Sequence, residues 1–78
     1  MASGTFSFQN TSGYTDRIDN PDEYRTYNIG IRPGSIENRT TATAWLYSRP
    51  DGGGDSEYVN PNSSTYATKG YQSFKFTS

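Results

Sequence analysis

Apolar and polar residues alternate in short windows along the chain, and no window of helical length repeats apolar residues at i, i+3 and i+4. The pattern predicts strands. In Gly4–Asn10, Phe6 and Phe8 share one face with Thr5 and Ser7 opposite, the period-2 signature of a half-buried strand. Thr11-Ser12-Gly13 reads as a turn, and Tyr14–Asp19 as a short edge segment ended by Asn20-Pro21, because proline has no N–H to give to a ladder. Glu23–Arg32 places Tyr27, Ile29 and Ile31 on one face and Thr26 and Asn28 on the other, which predicts a central strand. A type II turn at Pro33-Gly34 then predicts a hairpin.

Ile36–Ser48 is long and β-rich, yet Ala42, Ala44 and Leu46 alternate with Thr43, Trp45 and Tyr47, so both faces carry buriable residues. Arg49-Pro50-Asp51-Gly52 predicts a turn into a strand at Ser56–Val59. Asn60–Ser64 reads as a loop, and Tyr71–Thr77 as a last strand with Phe74 and Phe76 on one face. The Phe pairs of the first and last strands are expected to meet in one core. The expectation is an all-β fold, a compact antiparallel β-sandwich or small barrel of five to six short strands, in a single domain over residues 1–78.

Composition narrows this further. Ile, Leu, Val and Phe total only ten of 78 residues, a level at which disorder competes with folding, but the net charge is −1 and seven Tyr, four Phe and one Trp supply large buriable surface. The core should be thin and aromatic. No cysteine is present to staple it, and a domain below about 80 residues rarely gains more than a few kcal/mol from its own core, so self-association as a homo-oligomer is expected to be open to it.

Seven basic and eight acidic residues are scattered without a run, which argues against nucleic acid as a partner. The longest apolar run, Ala44-Trp45-Leu46-Tyr47, falls far short of the roughly 20 residues of a membrane-spanning helix, so membrane insertion is not expected. The opening Met-Ala-Ser-Gly-Thr has no basic stretch followed by an apolar one. Twenty Ser and Thr with two Lys lean the expected location to secreted or surface-exposed.

Absence of His and Cys removes the usual general base, the thiol nucleophile and most transition-metal ligands. Catalysis would have to rest on carboxylates in a deep cleft, which 78 residues provide little material to build, so a non-enzyme is expected and no cofactor is assigned. Calcium is the one candidate ion, since it accepts carboxylate and carbonyl oxygens in irregular geometry. Its candidate ligands are Asp51, Asp55 and Glu57, flanking a glycine-rich turn that serves equally well as a hairpin with solvated acids. The acids of Asp16–Glu23 have a similar double reading.

Seven Tyr with Trp45 exceed what a core of this size can hide. Tyr24, Tyr47, Tyr58, Tyr66 and Tyr71 are expected to reach the surface, where amphipathic rings beside Asn, Ser, Thr and Arg suit sugar stacking or protein contact. High β-propensity alone would also explain any single Tyr. Candidate ligand contacts are Tyr24, Tyr47, Arg49 and Tyr58, and the partner expected is a cell-surface carbohydrate or protein. Asn10, Asn38 and Asn62 each open an Asn-x-Ser/Thr sequon, at a frequency that chance explains in so Ser/Thr-rich a chain.

The segment Trp45–Gly54 resembles the opening hairpin of a βγ-crystallin Greek key, with Tyr47 at the first aromatic position, Gly54 at the glycine and Gly52 in place of the second aromatic. Glu37–Ala42 is similar to that family's calcium motif of two Asn/Asp, two free positions and Ser/Thr-Ser, with Asn38 and Thr41 matching it and Glu37 and Ala42 in place of its first and last members. This resemblance implies Greek-key strands and a calcium-binding domain. Gly4-Thr5-Phe6, a mid-chain Trp45 and the aromatic Tyr71–Phe76 are similar in layout to the lactococcin 972-like bacteriocins, which implies a secreted β-sandwich. The reading reached is a small secreted or surface-exposed β-sandwich module that binds through an aromatic sheet face. A self-assembling structural subunit, of the kind found in virions or surface layers, is its alternative.

Overall fold

The computed structural model describes residues 2–77. Eight strands run in chain order: β1 Gly4–Gln9, β2 Thr15–Asp19, β3 Thr26–Tyr27, β4 Gly34–Thr40, β5 Thr43–Tyr47, β6 Ser56–Val59, β7 Ser63–Ala67 and β8 Ser73–Thr77. They form two antiparallel four-stranded sheets, β2-β1-β4-β7 and β3-β8-β5-β6. The expected all-β sandwich is present, with more and shorter strands than the five to six anticipated.

The topology contains a repeat that the sequence does not display. In the first half, β1, β2 and β4 share one sheet while β3 crosses to the other; in the second half, β5, β6 and β8 share the second sheet while β7 crosses back. Each half is a four-strand Greek key that lends its third strand to its partner. The two halves fill corresponding inward positions differently, with Phe6 and Phe8 on β1 and Ala44 and Leu46 on β5.

That core is a Phe cluster. Phe6, Phe8, Phe74 and Phe76 are fully buried. Phe6 lies 5.2 Å from Phe74 and 5.1 Å edge-on from Phe76, and Phe8 lies 5.5 Å from Phe74. The two strands do donate their Phe pairs to one another. Tyr27 stacks on Phe74 at 5.3 Å and 11° between planes. Such ring pairs contribute about 0.5–1.5 kcal/mol each beyond their buried area, which suits a chain poor in aliphatics.

Three expectations need correction. Glu23–Arg32 is not a central strand: Glu23 makes an isolated bridge to Phe76, Thr26–Tyr27 forms a two-residue strand at the edge of the second sheet, and the chain then crosses so that Ile31 bridges Asn10 on one side and Tyr71 on the other. Tyr27, Ile29 and Ile31 are indeed turned inward, but they plug the end of the sandwich instead of extending a ladder. Pro33-Gly34 makes no hairpin, because it leads from this crossing into β4. Finally, Ser63–Ala67 is strand β7, so the loop expected over Asn60–Ser64 ends two residues sooner.

Ile36–Ser48 is two strands. It breaks at Thr41-Ala42 and changes sheets there, so Ile36, Asn38 and Thr40 face the core from one side and Ala44 and Leu46 from the other. The corner is held by a buried polar knot. The Asn38 Nδ2 group donates to the carbonyls of Ala42 (2.8 Å), Val59 (3.0 Å) and Asn60 (3.1 Å), and Thr40 Oγ1 donates to Asn38 Oδ1 (2.6 Å). One side chain thereby ties the β4–β5 corner to the β6–β7 crossing. Close approach elsewhere demands glycine: Gly4, at φ +112, sits where a Cβ would collide with the Arg39 carbonyl oxygen.

Candidate functional site

The outward side of the second sheet is where the aromatic surplus gathers. Strand alternation and register fix which residues share it. Thr26, Lys75, Trp45 and Tyr58 are cross-strand neighbours in one row through β3, β8, β5 and β6. The adjacent rows hold Ser73, Tyr47 and Ser56 on one side and Thr77 with Thr43 on the other. Trp45 and Tyr58 stand 5.3 Å apart at 45°, and the indole Nε1 donates to Thr77 Oγ1 at 2.8 Å, which fixes the ring orientation.

The β5–β6 connection folds back over one end of this face. Ser73 is fully buried although it points outward, because Gly52 N–H donates to its Oγ (3.0 Å) and its hydroxyl donates to the Arg49 carbonyl (2.6 Å). Asn28 and Asp51 exchange two hydrogen bonds of 2.8 Å, tethering the turn to the chain beyond β3. Asp51, Gly52 and Gly54 all take positive φ, and Gly54 admits no Cβ because Ser48 Oγ occupies its place. Tyr47 lies against Gly52. The face is therefore bounded at one end by an ordered turn and open at the other, with Trp45 and Tyr58 on its floor.

All four expected contact residues belong to this sheet or its connections. Tyr58 is 60% exposed beside Trp45, and Tyr24 is 63% exposed where its N–H joins the Phe76 carbonyl at the opposite edge. With strands about 4.8 Å apart, those two rings lie on opposite edges of the sheet and are not one contact. Tyr47 is half-buried under the turn, and Arg49 is exposed at its start. Among the described residues neither Arg49 nor Lys75 makes an ion pair, so both cations are available to a ligand. Lys75 stands on this face although no sequence signal singles it out, and placing Trp45 beside Tyr58 requires the β5–β6 register, which the strand pattern alone does not supply.

Tyr71 corrects the surface assignment. It is 3% exposed, bridged to Ile31 before β8 begins, and its hydroxyl donates to Glu57 Oε2 at 2.7 Å. Burial first, then the hydrogen bond to Glu57 and its negative charge, push the Tyr71 phenol up to about 12. Tyr66, by contrast, is exposed as expected, but on the other sheet.

The proposed calcium ligands are not brought together. Among the described residues no group of three or more carboxylates could hold a metal ion. Asp51 is engaged by Asn28, and Glu57 by Tyr71 and by Lys69 at 3.6 Å. The crystallin-like motif is also committed elsewhere, since Asn38 is buried and bonded within the corner and Thr41 Oγ1 accepts from the Ser3 N–H at 3.1 Å. Burial also removes Asn38 as a sequon accessible in the folded protein. Among the described residues there is no cleft of ligand size, so a ligand would have to be met on an open face. Comparison of the chain with family models, with curated proteins and with solved structures finds no match.

Proposed function

We propose that this protein is a non-enzymatic binding module that takes a cell-surface component, a carbohydrate in the first place, on the outward face of its second sheet. The observation that carries the reading is the pair of outward rings, Trp45 and Tyr58, held 5.3 Å apart beside unpaired Lys75 and a row of threonine hydroxyls. A sugar ring offers one apolar face to stack and a rim of hydroxyls to bond, and this surface presents aromatic faces with Thr26, Thr43 and Thr77 close by. Open-face binding of this kind needs no cavity. Protein ligands fit the same aromatic surface, and the assay has to tell the two apart.

The test uses Trp45, the single tryptophan of the chain, as its own reporter. Glycan-array binding, followed by titration of the hit against Trp45 fluorescence, is expected to show a saturable change that Tyr58→Ala weakens about tenfold, as loss of one stacking partner worth about 1.4 kcal/mol would require. Silence on the array together with a pull-down from cell surfaces that captures nothing would overturn the reading. Capture of a protein with no glycan response would replace carbohydrate by protein on the same face.

A further inference from the structure

We propose that β7 is a pairing edge at which two copies of this chain join into a continuous eight-stranded sheet. The four edge strands of the sandwich are β2, β7, β3 and β6, and three of them carry the features that block strand addition. Strand β2 has Asp16, Arg17 and Asp19 among its five residues. Strand β3 is two residues long. Strand β6 carries Glu57, engaged by Tyr71 and Lys69 at the side of the sandwich. Strand β7, Ser63-Ser64-Thr65-Tyr66-Ala67, has no charge, no proline and four exposed residues of five.

The sequence of β7 favours a second copy over an unrelated strand, because it is self-complementary. Antiparallel pairing about Thr65 matches all five residues: Thr65 meets its own copy, Ser64 meets Tyr66, and Ser63 meets Ala67. No like charges oppose one another, the central Thr–Thr pair is a favourable one, and each Tyr66 ring, 72% exposed in the single chain, comes to lie over a serine. The same operation on β2 sets Thr15 against Asp19 and Asp16 against Ile18, leaving charges without partners. A thin core and the absence of disulfides give a chain of 78 residues much to gain from added sheet. The two-fold axis of such a pair runs perpendicular to the sheet, so both copies turn their second sheets the same way. The proposal uses the opposite sheet from the binding face and stands without it.

Sedimentation equilibrium of the full chain over about a hundredfold range of concentration tests this, together with amide hydrogen exchange. The expected result is a rise from the monomer mass of 8.7 kDa toward twice that value, with alternate amides of β7 gaining protection as concentration rises. Thr65→Lys, which sets two like charges against one another at the axis, should remain monomeric with an unchanged far-ultraviolet circular dichroism spectrum. The double variant Ser64→Lys with Tyr66→Lys gives a second reading should Thr65→Lys fail to fold, since within one chain those side chains face Glu37 and Ser35. A chain monomeric at every concentration, or a dimer that the folded lysine variants leave intact, would overturn the proposal.

Discussion

Asn38→Ala should be the most informative polar substitution in this fold. Asn38 is fully buried, and its amide reaches three carbonyls at 2.8, 3.0 and 3.1 Å while its Oδ1 accepts from the Thr40 N–H and hydroxyl. Truncation does not orphan all of these groups. Ala42 keeps the Thr40 hydroxyl as donor at 3.1 Å, and Asn60 is exposed, which leaves the Val59 carbonyl and the Thr40 N–H as the groups deprived of their Asn38 partner. Val59 keeps its ladder pairing with Ala44; a buried group left unsatisfied costs about 1–3 kcal/mol and a lost hydrogen bond about 0.5–1.5 kcal/mol, so the Thr40 N–H and the lost bond to Val59 together cost about 3 kcal/mol. Set against about 0.05–0.15 kcal/mol of stability per residue, that is a large share of the total for 78 residues. The corresponding fall in melting temperature is about 12–24 °C. Urea unfolding should show the midpoint falling with the slope unchanged, since the folded and unfolded surfaces are nearly those of the parent. Asn38→Asp separates the hydrogen-bond argument from simple loss of volume. It keeps the shape but sets a carboxylate against carbonyl oxygens, so burial raises its pKa in the folded state above the ordinary value of about 3.9. What stability remains is then fully present below that ordinary value and lost as pH rises through the folded one. An Asn38→Ala cost below about 1 kcal/mol, or an Asn38→Asp variant indifferent to acidification, would refute the corner as a polar clasp.

The raised pKa of Tyr71, about 12 against the 10.0 of an ordinary phenol, makes its contribution to stability fully present below pH 10.0 and lost as pH rises toward 12. Alkaline unfolding followed by circular dichroism should therefore steepen over that window, and Tyr71→Phe should flatten it. Ser73→Ala removes both the acceptor of the Gly52 N–H and the donor to the Arg49 carbonyl. About 1–3 kcal/mol of destabilisation is expected, with faster amide exchange confined to residues 49–55. Gly4→Ala should destabilise by more than the ~1 kcal/mol by which alanine stabilises at a compatible glycine, because positive φ and the Arg39 carbonyl oppose it together; a neutral result in urea unfolding would contradict the close approach of β1 to β4.

How much of this was legible depends on which interaction a residue serves. Strands β1 and β8 could be read because Phe6, Phe8, Phe74 and Phe76 alternate with polar residues, and burial of alternate rings is what a sheet over a core requires. Strand β6 was readable from its flanking turn. Strand β7 was not, since Ser63, Ser64, Thr65 and Tyr66 lie at an edge with no inward apolar residue until Ala67. Glu23–Arg32 erred in the opposite direction: alternation of Tyr27, Ile29 and Ile31 reported burial correctly, but burial at the end of a sandwich needs no pairing partner. Asn38 was beyond reach for a different reason. A polar residue is mostly exposed, and only the meeting of β4, β5 and β6 supplies three carbonyls to one amide.

The same geometry redistributes the weight carried by the tyrosines. If Tyr merely replaced β-branched residues for strand propensity, the rings would be scattered between inside and outside without regard to neighbours. Instead the deepest core is built from Phe, Tyr27 and Tyr71 supplement it at its margin, and Tyr14, Tyr24, Tyr58 and Tyr66 stand exposed. Exposure alone separates these four very little. Tyr24 lies at the approach to β3, on the far edge of the second sheet from Tyr58, while Tyr14 in the β1–β2 connection and Tyr66 on the β7 edge make no ring contact among the described residues. Tyr58 differs because Trp45 lies directly across from it, pinned by Thr77. Of the seven tyrosines, the proposed binding face thus draws on Tyr58 with Trp45, and the proposed pairing edge on Tyr66. Tyr58→Ala and the β7 lysine variants should therefore act independently, the first on ligand affinity and the second on mass.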